Sequence, residues 1–213
     1  MAKPTTVEEP SAPKRRRADA ERSVAAILDA AVEALAGDPD ASMAEIARRA
    51  GVVRATIYVH FPTRESLLDA VMERSVAEVA EATRRAEPER GEPEDALERV
   101  LRATWRELAR FQALLAINTT RLSAEELHRR HLPVLEQLAP LIERGQKAGA
   151  FRRDLPVAWH LAVIRAIVHT ASAELRGGRL PESEAEAAML GTAISAVSAR
   201  PTPSGRAVSD APP

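Results

Sequence analysis

Apolar residues recur along most of the chain at the spacing of α-helices. Between residues 24 and 35 they occupy positions i, i+3, i+4 and i+7, which mark one face of a first helix. Ser42 stands three residues before Glu45, a capping box that opens a short second helix, and Gly51 ends that helix. After this turn, the pattern predicts a third short helix over residues 54–60. Three helices are therefore predicted near the start of the chain.

Longer helical stretches follow, and proline or glycine separates most of them. A fourth helix is predicted from about Arg64 to Arg85, with Thr63 as its cap. Further helices are predicted over residues 97–117, from Ser123 onward with kinks at Pro133 and Pro140, and over residues 156–176 and 181–199. Aromatic residues are scarce at 3%, and no Asn-Gly or Asp-Gly hairpin turn is present. We therefore expect an all-α fold without a sheet.

The two ends of the chain differ in composition from its helical part. Residues 1–17 hold three prolines and the basic segment Lys14–Arg17, and residues 200–213 hold four prolines. Both ends are predicted to be disordered, the first as a basic leader and the second as a tail. Between them, we expect one small domain over residues 18–66 and a larger helical domain over residues 67–199.

Other features of the composition narrow the class of protein. The chain has no cysteine, which excludes disulfides and thiolate metal sites and fits a reducing cytoplasm. Residues 161–168 form the best membrane candidate, but a span needs about 20 apolar residues and Arg165 interrupts the run. The start of the chain lacks the apolar core of a signal peptide. We therefore expect a soluble, cytoplasmic protein.

Motifs of catalytic and metal sites are scarce. There is no Gly-x-Ser-x-Gly elbow and no Gly-rich phosphate loop, so we do not expect an enzyme. Glu125 and His128 form one Glu-x-x-His pair, with His131 on nearly the same helix face. A di-iron bundle needs a second copy of this motif, and none exists. We interpret the segment as charged surface and expect neither a metal nor another cofactor.

Positive charge is concentrated around the short helices. Residues 48–64 contain four arginines and no acidic residue, although the formal net charge of the whole chain is -1. Two short helices joined by a turn with glycine have the geometry of a helix-turn-helix, whose second helix lies in the major groove of DNA. Many helical proteins contain such a pair, so the particular residues must decide whether this pair binds DNA.

Those residues carry a family resemblance. The run IARRAGVVRATIYVHFPTRESL at residues 46–67 closely resembles the signature of the TetR family of transcriptional regulators, and residues 27–31 resemble the family's first helix. The resemblance covers about residues 22–71. It implies a homodimer whose N-terminal helix-turn-helix domain binds an inverted-repeat operator in double-stranded DNA. It also implies a ligand-responsive regulator, most often a repressor, which a small-molecule effector in the larger domain releases from DNA.

The resemblance implies roles for individual residues. By position, the DNA-contacting residues are Ser42, Arg54, Ala55, Thr56, Tyr58, His60 and Arg64. Arg54 and Ala55 stand where base edges are reached, whereas Tyr58, His60 and Arg64 match phosphate contacts. Val53 replaces a frequent serine and Ala55 a frequent glycine. These departures leave open an alternative: a TetR-like ligand-binding or scaffold protein that binds DNA weakly or not at all. Whether the Lys14–Arg17 segment contacts DNA also stays open.

Polar and aromatic residues of the larger domain are candidates for the effector site. They are Trp105, Phe111, Asn118, Arg165 and His169. Arg165, His169 and Ser172 form a polar stripe at helical spacing that would suit an anionic or hydrogen-bonding ligand. The alternatives are that the stripe belongs to a dimer interface or to a solvated edge, and that the aromatic residues belong to the core. Small residues in the last helix, such as Gly191 and Ser195, favour close packing of two copies.

Overall fold

The computed structural model describes residues 12–199, so the predicted tail over residues 200–213 and most of the predicted leader lie outside the described residues. Within the described range the chain forms nine α-helices: α1 (Ala12–Gly37), α2 (Met43–Arg49), α3 (Arg54–His60), α4 (Arg64–Arg85), α5 (Pro93–Arg110), α6 (Gln112–Arg121), α7 (Ala124–Ala148), α8 (Val157–Arg176) and α9 (Glu182–Val197). The expected all-α fold is confirmed: the same residues contain no strand, only one isolated bridge between Phe151 and Ser198.

Helix α1 differs from the prediction at its start. It begins at Ala12, so the helix includes residues 12–17 of the segment that was predicted to be a leader. Two local properties explain the earlier start. Arginine and alanine are strong helix formers, and Pro13 lies in the first turn, where its missing N–H has no helical partner to lose.

Helix α7 is continuous through two prolines. It runs from Ala124 to Ala148 and includes Pro133 and Pro140, and the kinks expected at these two residues stay a prediction. Its start is as predicted, because Ser123 Oγ accepts a hydrogen bond of 3.2 Å from the Glu126 N–H. Gly149 directly follows the last residue of α7 and has φ +81°, a left-handed conformation in which glycine is favoured at helix ends.

The chain divides into two compact units. The first unit consists of the chain up to Ala80 together with Arg106–Pro133, and the second consists of Glu81–Trp105 together with the chain from Val134 onward. The predicted boundary between residues 66 and 67 stays a prediction. Three helices, α4, α5 and α7, contribute residues to both units.

The core of the first unit joins the three N-terminal helices to α6. Its buried residues include Ile27, Ile46, Ile57 and Leu68 from the first four helices, and Phe111 belongs to the same cluster. Helix α6 packs against α1 as well. The three N-terminal helices therefore do not form a core of their own, because Phe111, which directly precedes α6, and Leu114 of α6 belong to the same cluster.

Ion pairs hold α4 to neighbouring helices of the first unit. Asp69 of α4 accepts a 2.7 Å bond from Arg121 Nη2 and lies 3.0 Å from Arg130 Nη1. Burial raises the pKa of the Asp69 carboxyl, but hydrogen bonds and charge from the two guanidinium groups outweigh it, so this pKa lies below its ordinary value. Arg74 joins α4 to α1, with a 2.6 Å bond to Asp29. The charged residues on α4 thus fix its position within this unit.

The second unit is built around the packing of α8 against α9. Both helices begin just after a proline, Pro156 and Pro181, as the sequence predicted. The isolated bridge fixes the end of α9, because the Arg152 N–H donates to Val197 O at 2.9 Å and the Ala199 N–H donates to Ala150 O at 2.8 Å. His160 is buried, and its Nε2 lies 3.0 Å from Arg152 O.

Candidate nucleic-acid interface

Helices α2 and α3 form a helix-turn-helix whose local signals match the sequence prediction. Ser42 is the N-cap of α2, and its Oγ accepts a 3.2 Å hydrogen bond from the Glu45 N–H. Gly51 has φ +68°, the left-handed conformation that lets the chain turn between the two helices. Helix α3 then begins at Arg54 without a side-chain cap, because Val53 in the N-cap position offers no acceptor.

Helix α3 has one buried face and one exposed face. Ile57 is fully buried and Phe61, which follows the helix, is also in the core. On the other side, Arg54, Ala55 and Tyr58 are exposed. Three candidate residues from the sequence therefore share the solvent face of one helix, as base and phosphate contacts in a groove require.

On this face, the Arg54 guanidinium lies over the ring of Tyr58. The Arg54 guanidinium carbon lies 5.7 Å from the centroid of the Tyr58 ring, within the range of a cation–π interaction. No acidic side chain in the described part of the chain pairs with Arg54. Its charge therefore stays available to an anion or to an acceptor on a base edge.

Thr56 and His60 occupy less open positions. Both are half-buried, and the His60 ring lies 6.4 Å from the Phe61 ring, measured between centroids. Their proximity to the exposed face of α3 is compatible with contacts at the edge of an interface. Their assignment as DNA contacts stays a prediction.

The Arg64 side chain is engaged with the backbone. Its Nη2 donates a 2.6 Å hydrogen bond to Pro39 O, and its Nη1 donates to Ala41 O. Both carbonyls belong to the loop between α1 and α2. Thr63 and Ser66 cap the start of α4 reciprocally, with distances of 3.1 and 3.2 Å. Arg64 thus holds the first turn of α4 against the start of the helix-turn-helix, in addition to the phosphate contact predicted for it.

Two of the four arginines in the basic segment are paired, which the sequence analysis missed. Glu45 accepts hydrogen bonds from Arg48 at 2.7 Å and from Arg49 at 2.8 Å. These bonds lower the pKa of the Glu45 carboxyl to about 2. The carboxylate therefore stays ionised throughout the neutral range and offsets part of the positive charge. The i, i+3 and i, i+4 spacing of these residues was the signal that could have predicted the pairing.

Glu45→Gln is expected to strengthen binding to DNA of arbitrary sequence. The amide removes the negative charge but keeps the size of the side chain, so Arg48 and Arg49 become available to phosphates. Each additional phosphate contact makes the dependence of log K on log salt steeper by about 0.9. Titration of a random-sequence duplex at several salt concentrations measures this slope. An unchanged slope would mean that neither arginine reaches the DNA.

Val59 is an exposed residue of α3 that the sequence analysis did not single out. Its side chain is 77% exposed, the largest value among the exposed large hydrophobic residues described. It lies four residues after Ala55, so both lie on the same side of the helix. The signal was present in the sequence, because position 59 falls outside the buried row that contains Ile57 and Phe61.

The structure divides the residues proposed for the effector site between the two units. Phe111 and Asn118 belong to the first unit, where Phe111 is part of the core and Asn118 Oδ1 accepts a 3.1 Å bond from Arg121. Trp105, Arg165 and His169 belong to the second unit. The candidates therefore do not form one cluster within a single unit.

Some polar atoms in the second unit are buried without a hydrogen-bond partner. They are Trp105 Nε1, Gln137 Oε1, Arg165 Nε and Ser172 Oγ. Arg165 and Ser172 are seven residues apart on α8, which places them on the same face two turns apart. Buried polar atoms normally have partners. Trp105, Arg165 and Ser172 therefore each have a donor without an acceptor in the protein, whereas Gln137 Oε1 is an acceptor without a donor.

The described part of the chain lacks two other kinds of feature. No group of three or more His, Asp or Glu side chains lies close enough to hold a metal ion there. Within residues 12–199, no helix combines the length and the apolar character that crossing a membrane requires.

Comparison with known proteins gives matches in sequence and in fold. The family model described as "Bacterial regulatory proteins, tetR family" matches residues 27–71. The HTH-type transcriptional repressor LfrR of Mycolicibacterium smegmatis is 43% identical over 82 residues, which are 38% of this chain and 43% of that protein. The chain thus matches less than half the length of this relative. The HTH-type transcriptional regulator NfxB of Pseudomonas aeruginosa is 28% identical over 154 residues, 71% of this chain and 82% of that protein.

The fold match extends further along the chain. The crystal structure of the TetR-like regulator LfrR from Mycobacterium smegmatis, solved in complex with proflavine, has a TM-score of 0.67 and 27% identity. That match covers 82% of this chain and 96% of the solved chain. The similarity therefore includes helices well beyond the helix-turn-helix.

Proposed function

We propose that this chain, which belongs to the TetR family of bacterial regulatory proteins, represses transcription as a dimer that binds an inverted-repeat operator and leaves it when a small molecule binds. One observation carries the proposal. The solvent face of α3 combines a cation without an acidic partner, Arg54, with the exposed side chains of Ala55 and Tyr58. A recognition helix needs such a face in order to enter the major groove.

Selection from random duplexes tests DNA binding with the full chain. We expect an inverted repeat to be enriched, with half-sites about one helical turn apart or slightly more, because two identical α3 helices of a dimer read it. Its affinity at physiological salt should exceed that of a scrambled duplex by about a thousandfold or more. Equal affinity for both duplexes would favour the alternative, a helical ligand-binding or scaffold protein without specific DNA binding.

Dimerisation through α8 and α9 is the second part of the proposal. On α9, the surface that includes Gly191, Thr192 and Ser195 is exposed and carries small side chains, which allow close approach of another helix. On α8, the Trp159 side chain is 55% exposed. A large exposed aromatic residue on an apolar helix is a common anchor of protein interfaces.

Trp159→Ala is expected to weaken the dimer by about tenfold or more, because tryptophan is enriched among interface hot spots, whose truncation costs about 2 kcal/mol or more. Sedimentation at several protein concentrations gives the dissociation constant. Leu132→Ala is the matched control, since Leu132 is also an exposed large apolar residue but lies outside α8 and α9. A stable dimer with an unchanged constant in Trp159→Ala would place the interface elsewhere.

The effector site is the third part of the proposal, and Arg165 supports it. Its Nε is buried, and no hydrogen bond or ion pair joins its guanidinium to any described residue. Arg165 as a whole is half-buried, but its buried Nε without a hydrogen-bond partner is costly, and an acceptor supplied by a ligand would offset that cost. We assign to Arg165, with Ser172 and the neighbouring His169, the binding of an effector that carries an anionic group. Trp105 lies in the same unit and offers a further donor.

Arg165→Gln is expected to weaken binding of an anionic probe, anilinonaphthalene sulfonate, by about tenfold or more, because a hydrogen bond to a charged group contributes about 1.5 to 3 kcal/mol. Binding of proflavine, a cation, should not weaken. Arg106→Gln is the control for charge alone, since Arg106 is exposed. If the anionic probe bound Arg165→Gln as tightly as the unaltered protein, this assignment would be wrong.

The regulatory role has a separate test. If the probe favours the form that does not bind DNA, the selected duplex must weaken the probe by the same factor by which the probe weakens the duplex. Couplings of this kind are typically about 1 to 3 kcal/mol. Equal probe affinity with and without the duplex would show that this site does not regulate DNA binding.

A further inference from the structure

Exposed apolar side chains are concentrated on the recognition helix. Of the five exposed large hydrophobic residues described, Val53, Tyr58 and Val59 lie within or next to α3. Val53 is 70% exposed and Val59 is 77% exposed. Single exposed apolar residues are ordinary, but a cluster on one short helix commonly marks a binding surface.

The register of α3 arranges its exposed residues in two adjacent rows. Arg54 and Tyr58 are four residues apart and form one row, in which the guanidinium lies over the ring. Ala55 and Val59 have the same spacing and form the next row, which is entirely apolar. Ile57 is on the buried side of the helix. A polar, cationic row and an apolar row therefore run side by side on the solvent face.

We infer that the apolar row, Ala55 and Val59, contacts the 5-methyl groups of thymines in the major groove and thereby sets part of the operator sequence. This inference rests on the proposed DNA-binding function. The thymine methyl is the apolar group that unmodified base pairs present in the major groove, and side chains without polar atoms recognise it by contact. Val59 has two methyl groups to bury against it, whereas Ala55 has only its Cβ.

The adjacent row, Arg54 and Tyr58, favours nucleic acid as the partner that binds this face of α3. Arg54 has no acidic partner among the described residues and stands next to the apolar row. In the major groove, an arginine pairs with the O6 and N7 acceptors of guanine. A half-site with thymine near guanine would complement both rows at once. An apolar protein partner would leave the Arg54 charge without a partner.

The experiment pairs a change in the protein with a change in the DNA. A duplex selected by the unaltered full-length protein is remade with deoxyuridine in place of each thymine in turn, which removes only the methyl group. For at least one thymine in each half-site, we expect replacement by deoxyuridine to weaken binding of the unaltered protein about fourfold. That factor corresponds to the free energy of burying one methyl-sized group. Val59→Ala should bind the thymine duplex more weakly but discriminate little between thymine and uracil there.

Controls separate this inference from the proposed function. Val59 is exposed, so Val59→Ala should keep the thermal stability of the unaltered protein, and Leu132→Ala should keep its full preference for thymine. If an inverted repeat is selected but no uracil substitution weakens binding, the inference fails and the proposed function stands. The same holds if Val59→Ala keeps the full preference for thymine. If no duplex is selected, both fail.

Discussion

Arg64→Ala is expected to weaken binding to every DNA sequence by about tenfold or more and to lower the stability of the first unit. The guanidinium of Arg64 donates to the carbonyls of Pro39 and Ala41, and hydrogen bonds to a charged group contribute about 1.5 to 3 kcal/mol each. Without them, the start of α4 loses its attachment to the loop before α2. If Arg64 also contacts a phosphate, the salt slope falls by about one.

Arg64→Lys separates the two roles of this residue. Lysine keeps the positive charge, but it has no planar fork that can donate to two carbonyls at once. If Arg64 contacts phosphate, Arg64→Lys should keep the salt slope that Arg64→Ala loses, while both variants unfold at a lower temperature. Affinity and salt slope measured on one duplex, together with thermal unfolding, give all three quantities. Arg64→Ala with unaltered affinity and slope would contradict the phosphate assignment.

Gly145→Ala is expected to destabilise the second unit, although alanine ordinarily stabilises a helix relative to glycine. A Cβ at Gly145 of α7 would overlap the ring of Phe151, which is itself completely buried. The gain in helix propensity is about 1 kcal/mol, whereas overpacking of a filled core costs about 1 to 3 kcal/mol. We expect the cost of overpacking to exceed the gain in helix propensity. Gly145→Val should lower the melting temperature by several degrees more than Gly145→Ala does.

Two variants test the cause of this destabilisation. Gly37→Ala is the control, because nothing lies within 4 Å of a Cβ at that helical position, and it should leave the melting temperature unaltered or raise it slightly. Phe151→Leu combined with Gly145→Ala should cost less than the sum of the two separate changes, since the smaller side chain relieves the overlap. Strict additivity in this double-mutant cycle would contradict the steric explanation.

Local signals in the sequence were sufficient for the helices of the candidate interface. Ser42, Gly51 and the first residue of α3, Arg54, were all placed correctly. Each acts on neighbours only a few residues away, through a cap, a left-handed turn or a helical period. The pairing of Glu45 with Arg48 and Arg49 is equally local, and the helical spacing would have predicted it.

The sequence was less informative where helix propensity and proline conflict. Pro13 was taken as a sign of disorder, and Pro133 and Pro140 as sites of kinks; all three lie within continuous helices. Pro13 is in the first turn, where no backbone hydrogen bond is lost. Pro133 and Pro140 lie within a helix of 25 residues, α7, whose buried apolar side chains, such as Leu135 and Leu138, stabilise it.

The sequence by itself determined the all-α fold, the helix-turn-helix and three of the residues exposed on α3, Arg54, Ala55 and Tyr58, because local spacing and residue type govern these features. Only the tertiary structure decided which distant residues meet. Arg64 reaches carbonyls 23 and 25 positions earlier in the chain, and Phe111 and Asn118 join the first unit while Trp105 and Arg165 join the second. Contacts of that kind depend on how helices pack, and the period of a single helix contains no information about its partner.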